Sequence, residues 1–201
     1  MARRRGYKGR DRYAQRAKDE GYEARSVFKL QEIQRRFRLL RPGQRVVDLG
    51  CYPGSWSRYV LEVSGGRGTL VGVDLSEPAL AGGTWIARSV YEVAPEELLE
   101  ALGGPADVVV SDMAPATTGD KFTDHVQQIE LARRALWLAT EVLAPGGAFV
   151  CKVFEGGEAK DFENEARVRF DKVKRVRPEA VRKQSREWFL VAEGYSPRGS
   201  S

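Results

Sequence analysis

Histidine and cysteine are scarce in this chain: His125 is the only histidine, and Cys51 and Cys151 are the only cysteines. A disulfide framework needs several cysteine pairs, and these few ligands cannot complete a zinc site of the usual kind. We therefore expect neither a disulfide-stapled fold nor a metal centre.

Long apolar runs are also missing. No stretch of about 18 uncharged apolar residues occurs, and the arginine-rich start "MARRRGYKGR" is not followed by an apolar segment. A membrane-spanning helix and a secretory signal each require such a segment. The sequence therefore predicts a cytoplasmic protein without membrane contact.

The composition that is present suits one globular domain. The chain has 201 residues, 42% of them hydrophobic, which is enough for one well-buried core and too few for two full-sized domains. Residues 1–20 lack apolar periodicity and are rich in Lys and Arg, which predicts a flexible basic arm. We expect a single domain over residues 21–196, a disordered tail over 197–201, and a monomer.

Charge is distributed in blocks. Residues 1–45 contain 15 basic residues (Lys or Arg) and 5 acidic residues (Asp or Glu). Residues 46–166 contain 8 basic and 19 acidic residues, and residues 167–186 contain 9 basic and 2 acidic residues. Two basic blocks that fold onto one face would form a surface for a polyanion, so the pattern favours nucleic acid as a partner. The candidate nucleic-acid-binding residues are Arg3, Arg4, Arg5, Lys8, Arg25, Arg182, Lys183 and Arg186.

Strands and helices alternate along the chain. Short β-branched runs indicate strands buried on both faces, and they are "RVVDL" (45–49), "GTLVGVD" (68–74), "ADVVVSD" (106–112) and "GAFVCKVF" (147–154). Apolar spacing indicates helices near residues 26–37, 55–63, 95–102, 125–143 and 160–168. A weaker strand near 84–88 and an antiparallel pair formed by "DKVKRVRP" and "EWFLVAEG" complete the sheet. The fold class is therefore α/β, with a doubly wound, mostly parallel sheet and helices on both faces.

The first strand ends in the Gly/Pro-rich turn "DLGCYPGSW", residues 48–56. Ligands of such sheets bind beyond the carboxyl ends of the strands, and Asp74 at the end of the second strand can accept hydrogen bonds from ribose hydroxyls. The turn lacks the G-x-G-x-x-G spacing of dinucleotide sites, which favours S-adenosylmethionine, although glycines at strand ends also occur for steric reasons alone. The candidate cofactor-binding residues at these strand ends are Asp48, Gly50, Pro53, Gly54 and Asp74.

Four polar residues occupy unusual positions. Lys152 interrupts an apolar strand, Asp112 ends another, Lys29 lies in the helix that leads into the sheet, and Glu187 begins the last strand. Each has an ordinary alternative: an edge lysine, a capping carboxylate, a solvated helix charge and a surface ion pair. Together they could deprotonate and orient a weakly acidic alcohol.

The motifs resemble those of the FtsJ/RrmJ-type ribose 2′-O-methyltransferases, from about residue 22 to 195. The matching stretches are "RSVFKLQEI", "RPGQRVVDLGCYPGSWS", "GVDL", "VVVSDMAP", "LAPGGAFVCKVFEG" and "VRPEAVRKQSREWFLVAEG". The resemblance implies a Rossmann-like S-adenosylmethionine-dependent methyltransferase with a seven-stranded sheet and one antiparallel edge strand. It also implies a catalytic tetrad of Lys29, Asp112, Lys152 and Glu187, with Lys152 as the general base. With the resemblance, Trp56, Ser89 and Asp112 join the candidate cofactor-binding residues.

The implied acceptor is a ribose 2′-hydroxyl of RNA, and the bacterial branch of the family points to a uridine of 23S ribosomal RNA, free or within the large subunit. Methylation of tRNA and a non-catalytic role in ribosome assembly remain alternatives. A base-nitrogen methyltransferase is disfavoured because "DMAP" lacks an aromatic residue that could stack on a flipped base. The sequence departs from the family at Tyr52, which could narrow the cofactor site, and after the third strand, where no aspartate follows to contact adenine near Ser89.

Overall fold

The computed structural model describes residues 12–115 and 118–197, which form one seven-stranded sheet and six helices. The strands are β1 Arg45–Leu49, β2 Thr69–Asp74, β3 Thr84–Ala87, β4 Ala106–Ser111, β5 Leu143–Phe154, β6 Phe170–Val176 and β7 Glu187–Tyr195. The helices are α1 Arg12–Asp19, α2 Val27–Phe37, α3 Ser55–Ser64, α4 Pro95–Leu102, α5 Lys121–Val142 and α6 Ala159–Arg167. In this part of the chain, no helix is both long and apolar enough to cross a bilayer.

The strands lie in the order β3-β2-β1-β4-β5-β7-β6. The first five strands in this order pair in parallel, and β7 runs antiparallel to both β5 and β6. The predicted fold class and the antiparallel pair at one edge are therefore confirmed. The antiparallel strand itself is β7, one place inside the sheet, and the edge strand is β6.

Apolar residues cover both faces of the sheet, which explains why its central strands are unbroken β-branched runs. Helices α4, α5 and α6 contribute to one buried cluster, and α2 and α3 contribute to the other. The predicted stripe of α2 is buried as expected, with Val27, Leu30 and Ile33 almost fully covered. Ser26 precedes this helix but makes no side-chain cap.

The predicted flexible arm is wrong for residues 12–19, which form α1. Ala17 is buried, and its cluster includes Phe28 of α2. Tyr13 contacts the Phe28 ring at a centroid distance of 5.6 Å, and the Arg16 guanidinium lies 4.4 Å from its centre. The helix therefore depends on aromatic and cation–π contacts with α2. Residues 1–11 and 198–201 lie outside the described residues.

The topology brings five chain segments to one edge of the sheet. The parallel strands β1, β2, β4 and β5 end there, and the antiparallel strand β7 begins there because Glu187 pairs with Phe154. Polar residues at these strand ends are therefore neighbours in space although they are far apart in sequence.

Candidate active site

The four residues predicted to form the catalytic tetrad lie together at this edge. Lys29 Nζ is 2.7 Å from Glu187 Oε1 and 3.5 Å from Asp112 Oδ1. Lys152 Nζ is 3.2 Å from the same Asp112 oxygen. Asp112 thus bridges the two lysines, and the cluster contains two lysine and two acidic side chains.

Each lysine reaches the cluster from a buried backbone. Lys29 extends from α2 and passes over the Phe189 ring, with Nζ 5.5 Å from the ring centre. Burial lowers the pKa of the Lys29 ammonium, but the carboxylates of Asp112 and Glu187 outweigh that effect, so its pKa is raised above the ordinary value. Lys29 therefore remains positively charged at neutral pH.

Lys152 lies near the end of the central strand β5 and is only 6% exposed. Its Nζ donates a hydrogen bond of 2.6 Å to the backbone carbonyl of Asp112, where the chain leaves the sheet after β4. On the far side of the cluster, the Ser185 hydroxyl donates to Glu187 Oε2 at 3.1 Å. These contacts restrain both the base candidate and its neighbours.

A cavity of about 480 Å³, here called the Asp74 cavity, opens beside Asp112. Of the predicted cofactor-binding residues, four line it: Gly50, Asp74, Ser89 and Asp112. Residues that sequence reasoning missed also line it, among them Leu75, Tyr91, Met113 and Leu131. Their apolar side chains carried no signal that could distinguish a cavity wall from ordinary core.

The turn after β1 fits closely against the wall of this cavity. Gly50 has a φ of +85°, and a Cβ at this position would lie 2.6 Å from Met113 Cγ. Any other residue would therefore be strained and would collide with the opposite wall. Asp74 accepts hydrogen bonds from the backbone N–H groups of Tyr52, at 3.1 Å, and Leu75, at 2.7 Å, which fixes the carboxylate at the cavity.

The other predicted cofactor-binding residues, Asp48, Pro53, Gly54 and Trp56, are not among the residues that line the Asp74 cavity. Asp48 is fully buried behind the turn and accepts a hydrogen bond of 2.6 Å from the Ser57 hydroxyl. Trp56 is buried, and its indole N–H donates to the Ser26 carbonyl at 2.9 Å. Both side chains support the turn and α2 from behind.

A second cavity, of about 400 Å³ and here called the Arg25 cavity, lies on the other side of the tetrad. It is lined by Arg25, Ser26, Lys29, Ala180, Arg182, Gln184, Ser185 and Glu187. Arg25 also donates to the Ala180 carbonyl, which connects the start of α2 to the segment before β7. The tetrad therefore contributes Asp112 to one cavity, and Lys29 and Glu187 to the other.

The structure divides the predicted RNA-binding residues into two groups. Arg25 and Arg182 line the Arg25 cavity, and Lys183 and Arg186 are exposed on the same segment. Arg3, Arg4, Arg5 and Lys8 lie outside the described residues. Sequence reasoning missed Ser26, Gln184 and Ser185, which are uncharged polar residues that give no signal of their own.

The sheet order defines a Rossmann-like fold, with a polar cluster and a cavity at the carboxyl edge of its parallel strands. The chain belongs to the FtsJ-like methyltransferase family, which it matches over residues 22–195. The family resemblance inferred from the motifs is therefore confirmed.

Similar proteins share this assignment. The chain is 46% identical to ribosomal RNA large subunit methyltransferase E of Desulfosudis oleivorans, over 98% of this chain and 95% of that protein. It is 48% identical to the protein of the same name from Acidiphilium cryptum, over 94% of this chain and 84% of that protein. A crystal structure described as a ribosomal RNA methyltransferase of Plasmodium falciparum has the same fold, with a TM-score of 0.79 and 23% sequence identity. The match covers 89% of this chain and 100% of that chain.

Proposed function

We propose that this protein transfers a methyl group from S-adenosylmethionine to the 2′-hydroxyl of a ribose in RNA, and that its target is a uridine of 23S ribosomal RNA. The observation that carries the proposal is the position of Lys152, in a four-residue ionic cluster whose other three members line two separate cavities. The names of the relatives support large-subunit ribosomal RNA as the substrate.

The residues of the Asp74 cavity fit the proposed methyl donor. Asp74 presents a carboxylate at the end of β2, where it can accept hydrogen bonds from the two ribose hydroxyls of a nucleoside. The apolar side chains of Val90 and Leu131 suit an adenine ring. The bound donor supplies an electrophilic methyl carbon on a positively charged sulfur.

The tetrad provides the acid–base chemistry of the transfer. Lys152, in its uncharged form, accepts the proton of the 2′-hydroxyl as that oxygen forms its bond to the methyl carbon and the carbon–sulfur bond breaks. When bound, the donor would supply the methyl group and keep the electron pair of the carbon–sulfur bond, and the proton would leave the site from Lys152. General-base assistance of this kind is worth roughly 10²- to 10⁴-fold.

Lys29 and the two carboxylates orient the reaction. The Lys29 ammonium can donate a hydrogen bond to the acceptor oxygen, whose negative charge grows as its proton leaves. Asp112 and Glu187 hold Lys29 in place by the ion pairs described above. The Arg25 cavity provides room for the acceptor nucleotide, and Arg25 and Arg182 offer positive charge for its phosphates.

Replacing Lys152 tests this proposal. The Lys152→Ala variant should lose methyl transfer by a factor of at least about 10² while it retains RNA binding, because the lysine acts on the proton and not on phosphates. Lys172→Ala is a matched control for activity, since Lys172 is an exposed lysine of β6 outside the tetrad and its loss should leave methyl transfer nearly unchanged.

Methyl transfer and RNA retention are measured on the same preparations. Activity that persists in Lys152→Ala would contradict the role of the lysine. A wild-type protein that retains RNA but never transfers a methyl group would instead support a non-catalytic role in ribosome assembly.

A further inference from the structure

Lys152 lies just beyond the point at which β5 is no longer paired with β4. The last pair between β4 and β5 is Ser111 with Cys151, and β4 ends at Ser111. If the parallel register continued, Met113 would lie opposite Val153. In a parallel ladder, a residue opposite Val153 donates its N–H to the carbonyl of Lys152 and accepts at its own carbonyl from the N–H of Phe154. The missing strand would therefore leave the Phe154 N–H unpaired and the Lys152 carbonyl with only the weak donor of the Cys151 thiol, whose Sγ lies 3.3 Å away.

The side chain of Gln128 makes these two bonds. Its Nε2 donates to the Lys152 carbonyl at 2.6 Å, and its Oε1 accepts from the Phe154 N–H at 3.0 Å. The side chain comes from α5, which packs against the sheet, and is only 1% exposed. One backbone group is an acceptor and the other is a donor, so only one orientation of the amide satisfies both.

We propose that Gln128 is a positioning residue for methyl transfer, because its amide replaces the absent β4 residue and fixes the backbone on both sides of Val153. The proposal rests on the proposed function, in which Lys152 is the general base. The Lys152 side chain is restrained at its tip by the Asp112 carbonyl, whereas Gln128 restrains its backbone. Loss of the amide bridge would let the end of β5 move relative to the two cavities.

The Gln128→Leu variant tests the bridge, because leucine is of similar size and makes neither bond. We expect kcat to fall by about 10-fold or more, since displacements near 1 Å in an active site can cost about 10²-fold. The KM for S-adenosylmethionine should change by less than about 2-fold, because Gln128 does not line the Asp74 cavity. Leu138→Ala is the control, since Leu138 is a fully buried residue of the same helix and its truncation destabilises the fold without touching the bridge.

A second variant separates positioning from stability. The carboxylate of Gln128→Glu can accept from the Phe154 N–H but repels the Lys152 carbonyl unless it is protonated. The ratio of its kcat to the wild-type kcat should therefore rise as the pH falls. The ratio is used because the titration of groups that both proteins share affects both kcat values equally.

The outcomes are distinct when all variants are assayed where they are folded. An unchanged kcat in Gln128→Leu, or an equal loss in Leu138→Ala, overturns the positioning role. A Gln128→Glu ratio that does not depend on pH also contradicts it. If wild type makes no ribose methylation, or Lys152→Ala remains active, the proposed function itself fails, and that result is recognised independently of Gln128.

Discussion

Asp48 shows how one buried carboxyl responds to its surroundings. It is 0% exposed, and its Oδ1 has no hydrogen-bond partner among the described residues. Burial raises the pKa of Asp48 to about 7, although the hydrogen bond from Ser57 opposes the shift. The folded protein therefore keeps Asp48 protonated in a pH range where the unfolded chain is ionised.

The pH dependence of stability follows from this difference. Between the unfolded pKa of about 3.9 and the folded value of about 7, the folded state binds the extra proton. Stability from Asp48 is therefore complete below this range and is lost as the pH rises through it, by up to about 1.4 kcal/mol for each pH unit.

Asp48→Asn removes the titration while it keeps the shape of the side chain. We expect the variant to gain stability relative to wild type as the pH rises from 5 to 8, measured by urea unfolding without cofactor. Ser57→Ala, which removes the opposing hydrogen bond, should extend the wild-type loss to higher pH. A stability difference between Asp48→Asn and wild type that stays constant with pH would show that Asp48 is ionised in the folded state.

Two members of the tetrad could be predicted from the sequence alone because they break a pattern. Lys152 interrupts an apolar strand and Asp112 ends one, so each is a charged residue type at a position where a buried strand favours an apolar residue. Gln128 could not be predicted in the same way, because a glutamine in a long helix breaks no pattern. Its role depends on the end of β4, which only the three-dimensional register reveals.

At the scale of elements, Arg134 connects α5 to the wall of the Asp74 cavity. Its guanidinium donates to the carbonyls of Val90, at 3.0 Å, Tyr91, at 3.4 Å, and Val93, at 2.9 Å. Val90 and Tyr91 both line the cavity. The loop after β3 is therefore held by a cation from a helix on one face of the sheet.

Arg134→Met should loosen this loop. Hydrogen bonds to a charged group contribute about 1.5 to 3 kcal/mol each, so we expect the Kd for S-adenosylmethionine to rise by about 5- to 10-fold, measured by calorimetry. Arg133→Met is the matched control, because Arg133 makes ion pairs with Glu158 and Glu165 and not with the loop. Equal affinity in the two variants would exclude the proposed role of Arg134.

The sequence predicted the elements well where periodicity was strong and poorly where few apolar residues were involved. The strand β1 has the predicted bounds, 45–49, and α4 has the predicted bounds, 95–102. Helix α1 was missed because Tyr13 and Ala17 are too few for a periodic stripe, and its partner Phe28 belongs to another helix. Helix α5 begins at Lys121, before the predicted start, where Asp120 caps the Thr123 N–H at 2.8 Å.

At the scale of the whole molecule, the positions of the basic residues predict that RNA binds at the carboxyl edge of the parallel strands and not at the opposite edge. Arg182, Lys183 and Arg186 are exposed on the segment that borders the Arg25 cavity. Arg38, Arg41 and Arg67 are also exposed, but they precede β1 and β2 and so lie at the opposite edge of the sheet. The two sets carry equal charge at opposite ends of the parallel strands.

Replacing each set by alanine separates location from net charge. Loss of Arg182, Lys183 and Arg186 should weaken RNA binding and reduce the slope of log K against log salt concentration by about 2, because each phosphate contact contributes about 0.7 to 0.9. Loss of Arg38, Arg41 and Arg67 should leave the slope nearly unchanged. Equal slopes for the two triple variants would mean that net charge alone attracts the RNA.

The most direct test of the account is mass spectrometric mapping of methylation in large-subunit ribosomal RNA, from cells that produce either this protein or its Lys152→Ala variant as their only enzyme of this family. We predict one uridine that carries a methyl group on its ribose with the wild-type protein and lacks it with the variant. A methyl group on a base, or ribose methylation that persists with the variant, would contradict the central role of Lys152.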